Sequence, residues 1–112
     1  MKRAKIKVGI IGCGTIGSSI ARACQTRLKD YVDLAGICDS LEEKATALQK
    51  SLKDNTPVLE LDDLVKISDL IVEAAGAKIS ASILKKAIND KKDVLIMSIG
   101  GLLGNKSLLG KA

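Results

Sequence analysis

Apolar residues along this chain of 112 residues change their spacing several times, and each change separates two kinds of element. Ile6 to Ile11 is a short run, β-branched apart from Lys7 and Gly9, that stops at a glycine, which favours a buried strand over a helix. From Thr15 the apolar positions become Ile16, Ile20, Ala23 or Cys24, and Leu28, with Ser, Arg, Gln and Lys on the other side. That spacing predicts an amphipathic helix running to about Lys29. A second apolar run, Leu34 to Cys38, lies between Asp33 and Asp39 and predicts a second strand. Asp39 or Ser40 then offers an N-cap, and Leu41, Ala45, Leu48 and Leu52 form the stripe of the next helix. Glu42 and Glu43 stand in its first turn, where the helix dipole favours negative charge. The segment D-N-T-P ends it, and Pro57 precedes Val58 and Leu59, a short edge strand in which a missing N–H is tolerated.

Leu61, Leu64 and Val65 predict a helix of about two turns, after which Asp69 introduces L-I-V-E-A-A-G, a strand ending at Gly76. Ile79, Ile83, Leu84, Ala87 and Ile88 recur at helical spacing, and Val94 to Ser98 reads as one more strand closing on paired glycines. The terminal L-L-G-N-K-S-L-L-G-K-A has the pattern of a further short helix, with Gly110 awkward inside it. Strands alternate with helices through short joints and no low-complexity linker. Such alternation predicts an α/β fold, a Rossmann-type doubly wound parallel sheet of about five strands with right-handed crossovers. Residues 1–112 are expected to form one such domain.

Composition narrows the partners. The hydrophobic share of 46% comes almost wholly from Ile, Leu, Val and Ala, with one Tyr and neither Phe nor Trp. An aliphatic core suits a parallel sheet covered on both faces. The formal charge is +5, but the lysines are scattered and no aromatic residues interleave with them, so nucleic acid is not an expected partner. The cationic start M-K-R-A-K imitates a signal peptide until Gly9, Gly12, Gly14 and Gly17 break the apolar run. No stretch approaches the roughly 20 apolar residues of a membrane span, and a cytoplasmic protein without a membrane partner is expected. Cys13, Cys24 and Cys38 lack metal-ligand spacing and are expected as small, reduced hydrophobes. The absence of histidine removes the commonest general base and the commonest metal ligand, so no catalytic residue and no metal site is assigned.

Gly12, Gly14 and Gly17 match G-x-G-x-x-G at the point where the first strand must turn into the first helix. Gly12 permits the turn, Gly14 lets a pyrophosphate approach the backbone, and Gly17 lets the helix lie close to the strand. The N–H groups around Gly14, Thr15 and Ile16 are those left unpaired at a helix start, where the dipole favours an anion. A triphosphate loop would need G-K-[ST], and I-G-S-S stands there instead. Asp39 supplies the second half of the pattern. It follows the second strand 22 residues beyond Gly17, placed to accept hydrogen bonds from ribose hydroxyls. Its carboxylate would repel a 2′-phosphate and no Arg follows in D-S-L-E-E-K, so the expected cofactor is NAD, with NADP as the alternative. Lys44 stands too far along its helix to alter that expectation.

Ala75, Gly76 and Ser98 fall at the carboxyl ends of later strands, where small residues leave room for a nicotinamide or simply serve packing and turns. Glu73 is unusual inside an apolar strand, because a buried carboxylate is costly unless it is paired or near the solvent edge. Either a functional role or a strand-end position accounts for it.

Taken together, G-C-G-T-I-G, I-C-D, I-V-E-A-A and V-L-I-M-S-I-G-G-L resemble the nucleotide-binding half of the L-aspartate dehydrogenase family, relatives of the homoserine dehydrogenase nucleotide domain. The likeness runs from Ile6 to about Leu109. It implies an NAD(P)-dependent oxidoreductase that converts L-aspartate to iminoaspartate, with a place in NAD biosynthesis. It also implies Thr15 and Ile16 at the pyrophosphate, Asp39 at the adenosine ribose, and Ala75, Gly76 and Ser98 beside the nicotinamide. Gly76 departs from a Ser found in many members, and L-L-G-N departs near Gly104. In the family the substrate domain and its catalytic histidine come later, so the substrate domain is expected to be absent here and the chain alone inactive. A small amino acid would be bound only together with that domain. An uncovered apolar face would favour homo-oligomers. The alternatives are the nucleotide domain of a homoserine dehydrogenase-like enzyme, disfavouring sugar oxidoreductases for want of V-x-x-E-K-P, or a free-standing NAD-sensing module.

Overall fold

In the computed structural model, which describes residues 5–53, 56–75, 83 and 85–97, the first apolar run forms strand β1 (Ile6–Ile11), followed by helix α1 (Thr15–Cys24) and strand β2 (Val32–Cys38). Helices α2 (Glu42–Ser51) and α3 (Leu61–Ile67) come next, then β3 (Leu70–Glu73) and β4 (Asp93–Ile96). Residues 85–89 are helical. All strand pairs are parallel, in the order β2-β1-β3-β4.

The expected fifth strand is reduced to a single parallel bridge, Val58 to Ile37, on the outer side of β2. Pro57 contributes its carbonyl to the Ile37 N–H at 3.0 Å, and Leu59 donates its own N–H to the Ile37 carbonyl at 2.9 Å. A proline on the ladder accepts but cannot donate, and here the pairing goes no further.

Alternation along the strands sends side chains to two cores. Val8, Ile10, Ile37 and Val72 pack with Ala21 and Cys24 of α1 and Ala45 and Leu48 of α2. Ile11 and Ile71 pack with Leu64 and Val65 of α3 and with Ile83 on the other face. This two-sided covering is the physical content of a doubly wound sheet. Leu64 comes so close to the sheet that methyl groups on Gly9 and Gly36 would collide with it at 2.8–3.0 Å. The pairing of β1 with β2 shifts register between Val8 and Gly9.

α1 ends at Cys24 rather than near Lys29. The Gln25 and Thr26 N–H groups bond back only three residues, to the Arg22 and Ala23 carbonyls, and the Thr26 hydroxyl also donates to the Arg22 carbonyl at 2.8 Å. These tightened turns end the regular helix. β2 begins earlier than expected, at Val32, because Val32 lies opposite Ile6. Asp33 is tolerated there because it is exposed and pairs with Lys5 at 3.7 Å. Among the described residues no helix is long and apolar enough to cross a membrane.

Candidate functional site at the carboxyl edge of the sheet

From the central strand β1 the chain passes to β2 on one side and later to β3 on the other. The carboxyl ends of β1 and β3 therefore flank the point where strand order reverses, the place where open α/β sheets form a ligand crevice. Gly12, just beyond β1, has φ +100°, a conformation that L side chains rarely adopt. Its N–H donates to the Cys38 carbonyl at 2.7 Å, tying the turn to the end of β2. A methyl group there would also lie 2.6 Å from the Ala74 carbonyl carbon and the Ala75 nitrogen. On Gly17 it would overlap the Gly12 carbonyl oxygen, so the first turn of α1 packs directly on the bend.

Gly14 is different. It is exposed, and a methyl group on it would meet nothing within 4 Å. Gly14 caps α1 with no side-chain bond, and the first turn carries no acidic residue. Among the described residues, the N–H groups of Gly14, Thr15 and Ile16 have no backbone or side-chain acceptor. An uncluttered opening over unpaired amides at the positive end of a helix fits a pyrophosphate.

Asp39 closes the other side of this opening. One carboxylate oxygen, Oδ2, accepts the Cys13 N–H at 2.7 Å, and the other, Oδ1, accepts the Leu41 N–H at 2.8 Å. The expected capping role is thereby modified: α2 is capped by Leu41 without a side-chain bond, and Asp39 bonds that cap residue while holding the glycine turn. An ionised carboxylate offers about four acceptor positions, so two such bonds leave capacity for hydroxyl donors. The Cys13 thiol is pushed up to about 11, chiefly by burial and secondarily by the charges of Asp39 and Cys38. It stays protonated at neutral pH and is no nucleophile.

At the end of β3, Ala74 donates to the Ile11 carbonyl and Met97 to the Glu73 carbonyl, each at 2.7 Å. Glu73 is both fully buried and at the strand end; its Oε2 accepts the Ala75 N–H at 2.6 Å and braces the loop that presses on Gly12. Gly12, Gly14, Thr15, Ile16, Gly17, Asp39 and Ala75 thus come together along one edge. Gly76 and Ser98 lie outside the described residues. The sequence singled out Glu73 but not its bond to the Ala75 amide, and it gave no sign read as a cavity of about 260 Å³ between α1 and α2, bordered by Gly14, Ser18, Arg22 and Lys44. The four-residue spacing of Gly14, Ser18 and Arg22 was the available signal for the latter.

The profile of the family described as homoserine dehydrogenase, NAD binding domain, matches residues 12–111. The chain is 38% identical over 98 residues to an L-aspartate dehydrogenase of Methanosarcina mazei, covering 87% of this chain and 36% of that protein. It is 37% identical over 108 residues to an L-aspartate dehydrogenase of Methanocaldococcus jannaschii, covering 93% and 39%. The chain therefore spans well under half the length of these relatives. Among solved structures, myo-inositol dehydrogenase from Lactobacillus casei in complex with NAD(H) and myo-inositol superposes with a TM-score of 0.76 at 20% identity, over 83% of this chain and 28% of that one. GenD2 from gentamicin A biosynthesis in complex with NAD gives 0.74 at 22%, over 86% and 27%. Likeness at that identity shows the shared fold.

Proposed function

The chain belongs to the family of homoserine dehydrogenase NAD-binding domains, and from that premise we propose that it is the nicotinamide-dinucleotide-binding part of an L-aspartate dehydrogenase. The observation that carries this reading is the meeting, at one helix start, of an open Gly14, unpaired amides and the Asp39 carboxylate. The relatives named L-aspartate dehydrogenase point to the substrate. In this reading the amides of Gly14, Thr15 and Ile16 hold the pyrophosphate, with Gly12 and Gly17 shaping the turn. Asp39 accepts the hydroxyls of the adenosine ribose. Ala75, with Gly76 and Ser98, leaves space for the nicotinamide. The bound dinucleotide supplies the hydride acceptor for oxidation of aspartate to iminoaspartate. No residue of this chain, which contains no histidine and spans 36% of the Methanosarcina mazei relative, is assigned to aspartate binding or proton transfer.

NAD is favoured over NADP, because Asp39 opposes a 2′-phosphate and Glu42 and Glu43 add negative charge in the first turn of α2. Titration of NADH by its protein-perturbed fluorescence tests the assignment. Asp39→Ala is expected to weaken NADH about tenfold or more, in line with loss of charge-assisted hydrogen bonds. Unchanged affinity would remove Asp39 from the site.

A further inference from the structure

Among the described residues Glu73 is the one Asp, Glu, Lys or Arg that the fold buries completely. A carboxyl group is costly to take out of water, and apolar residues of similar volume serve a core at least as well. Its Oε2 accepts the Ala75 N–H at 2.6 Å, yet Ala75 itself is exposed, so that amide would find water if the bond were lost. The bond therefore fixes a loop more than it supports the core. The main chain at Glu73 needs no such help: it pairs with Ile11 of β1 and Ile96 of β4, and its carbonyl accepts the Met97 N–H at 2.7 Å.

The sheet order says which part of a ligand that loop would meet. β1 lies between β2 and β3, so Asp39 and the loop at Ala74 and Ala75 stand on opposite sides of the glycine turn. A dinucleotide with its adenosine ribose at Asp39 and its pyrophosphate at the start of α1 carries its remaining half toward β3. The turn itself is held from the other side, by the Gly12 bond to the Cys38 carbonyl and the Cys13 bond to Asp39. Freeing Ala75 thus leaves the adenosine side in place and unsettles only the far end. Resting on the dinucleotide reading above, we propose that Glu73 is a positioning residue for the nicotinamide half. Through the Ala75 amide it fixes the loop that this half lies against, and so sets affinity for it without touching the cofactor. The loop is ordered before binding rather than by it.

Calorimetric titration of NADH and of ADP-ribose, which lacks the nicotinamide, tests this in the full chain. Wild type is expected to bind NADH more tightly than ADP-ribose. Glu73→Met removes the acceptor at similar length and should weaken NADH about tenfold, the scale of fixing one loop residue on binding. ADP-ribose should stay within about twofold and the melting temperature should be unchanged or higher. Glu73→Gln keeps an acceptor oxygen and should hold NADH within about threefold. Equal losses for both ligands, an unchanged NADH affinity in Glu73→Met, a loss in Glu73→Gln as large as in Glu73→Met, or a Glu73→Met chain that no longer melts cooperatively would each overturn the proposal. So would a wild type that binds the two ligands alike, while the dinucleotide reading stands. A wild type that binds neither would overturn that reading and this assignment together.

Discussion

Gly14 and Gly17 sit three residues apart in one turn, yet a methyl group has different consequences at the two. At Gly17 it overlaps the Gly12 carbonyl oxygen, a backbone atom that cannot step aside, whereas at Gly14 it enters open space in an extended conformation open to any residue. Gly17→Ala is expected to lose about 1–3 kcal/mol of stability, the usual range for overpacking. Gly14→Ala is expected to keep the wild-type melting temperature and to lose NADH affinity. Thermal denaturation beside NADH titration separates them, and equal melting losses would show that both glycines serve packing alone. Cys13 gives a pH dependence with a definite sign. Its ordinary value is 9.0 and the fold raises it to about 11. Stability from the protonated thiol is therefore whole below about pH 9.0 and is lost as pH rises through about 11. Melting temperature should fall over that interval, and less steeply in Cys13→Ala; identical slopes would dismiss the thiol as the cause.

At the scale of elements, α3 depends on two strand glycines that no apolar pattern marks as special. Leu64 is fully buried over Gly9 and Gly36, and the Ser68 hydroxyl, also fully buried, donates back to the Leu64 carbonyl at 2.7 Å. Leu64→Ala should cost about 2–5 kcal/mol, as for other large-to-small changes in packed cores. A loss below 1 kcal/mol in chemical denaturation, well under that range, would show that α3 can settle into the gap. The element order itself was legible because changes of apolar period fall near real boundaries among the described residues: Ile6–Ile11 was read to the residue, while the strand read to Gly76 ends at Glu73. The ends of α1 and β2 were not, since Thr26 bonding back to Arg22 and Val32 pairing with Ile6 involve partners that apolar spacing ignores.

For the whole molecule, the proposed cofactor edge is assembled from three separated stretches: the turn after β1, Asp39 after β2 and the Ala74–Ala75 loop after β3. The chain of 112 residues is expected to bind NADH while showing no aspartate-dependent reduction of NAD, because it lacks histidine, the commonest base, and spans only 36% of the length of its Methanosarcina mazei relative. Absorbance at the reduced-nicotinamide band would record this, and turnover by the purified chain would require a proton acceptor among its own residues. On the opposite side of the sheet order, β4 exposes alternate residues, with Leu95 48% accessible, so among the described strands it is the less covered flank.

The sequence alone determined the alternation of elements, the glycine turn and the pairing of that turn with an acid after the second strand. Each of these is encoded locally, by apolar period, by missing side chains and by spacing along one chain. Tertiary structure alone decided that Asp39 holds the turn through the Cys13 amide, that Glu73 braces the loop pressing on Gly12, and that Lys44 faces the same groove as Gly14. Those facts depend on distances between residues far apart in the chain, which are set by strand register and helix packing rather than by any local pattern.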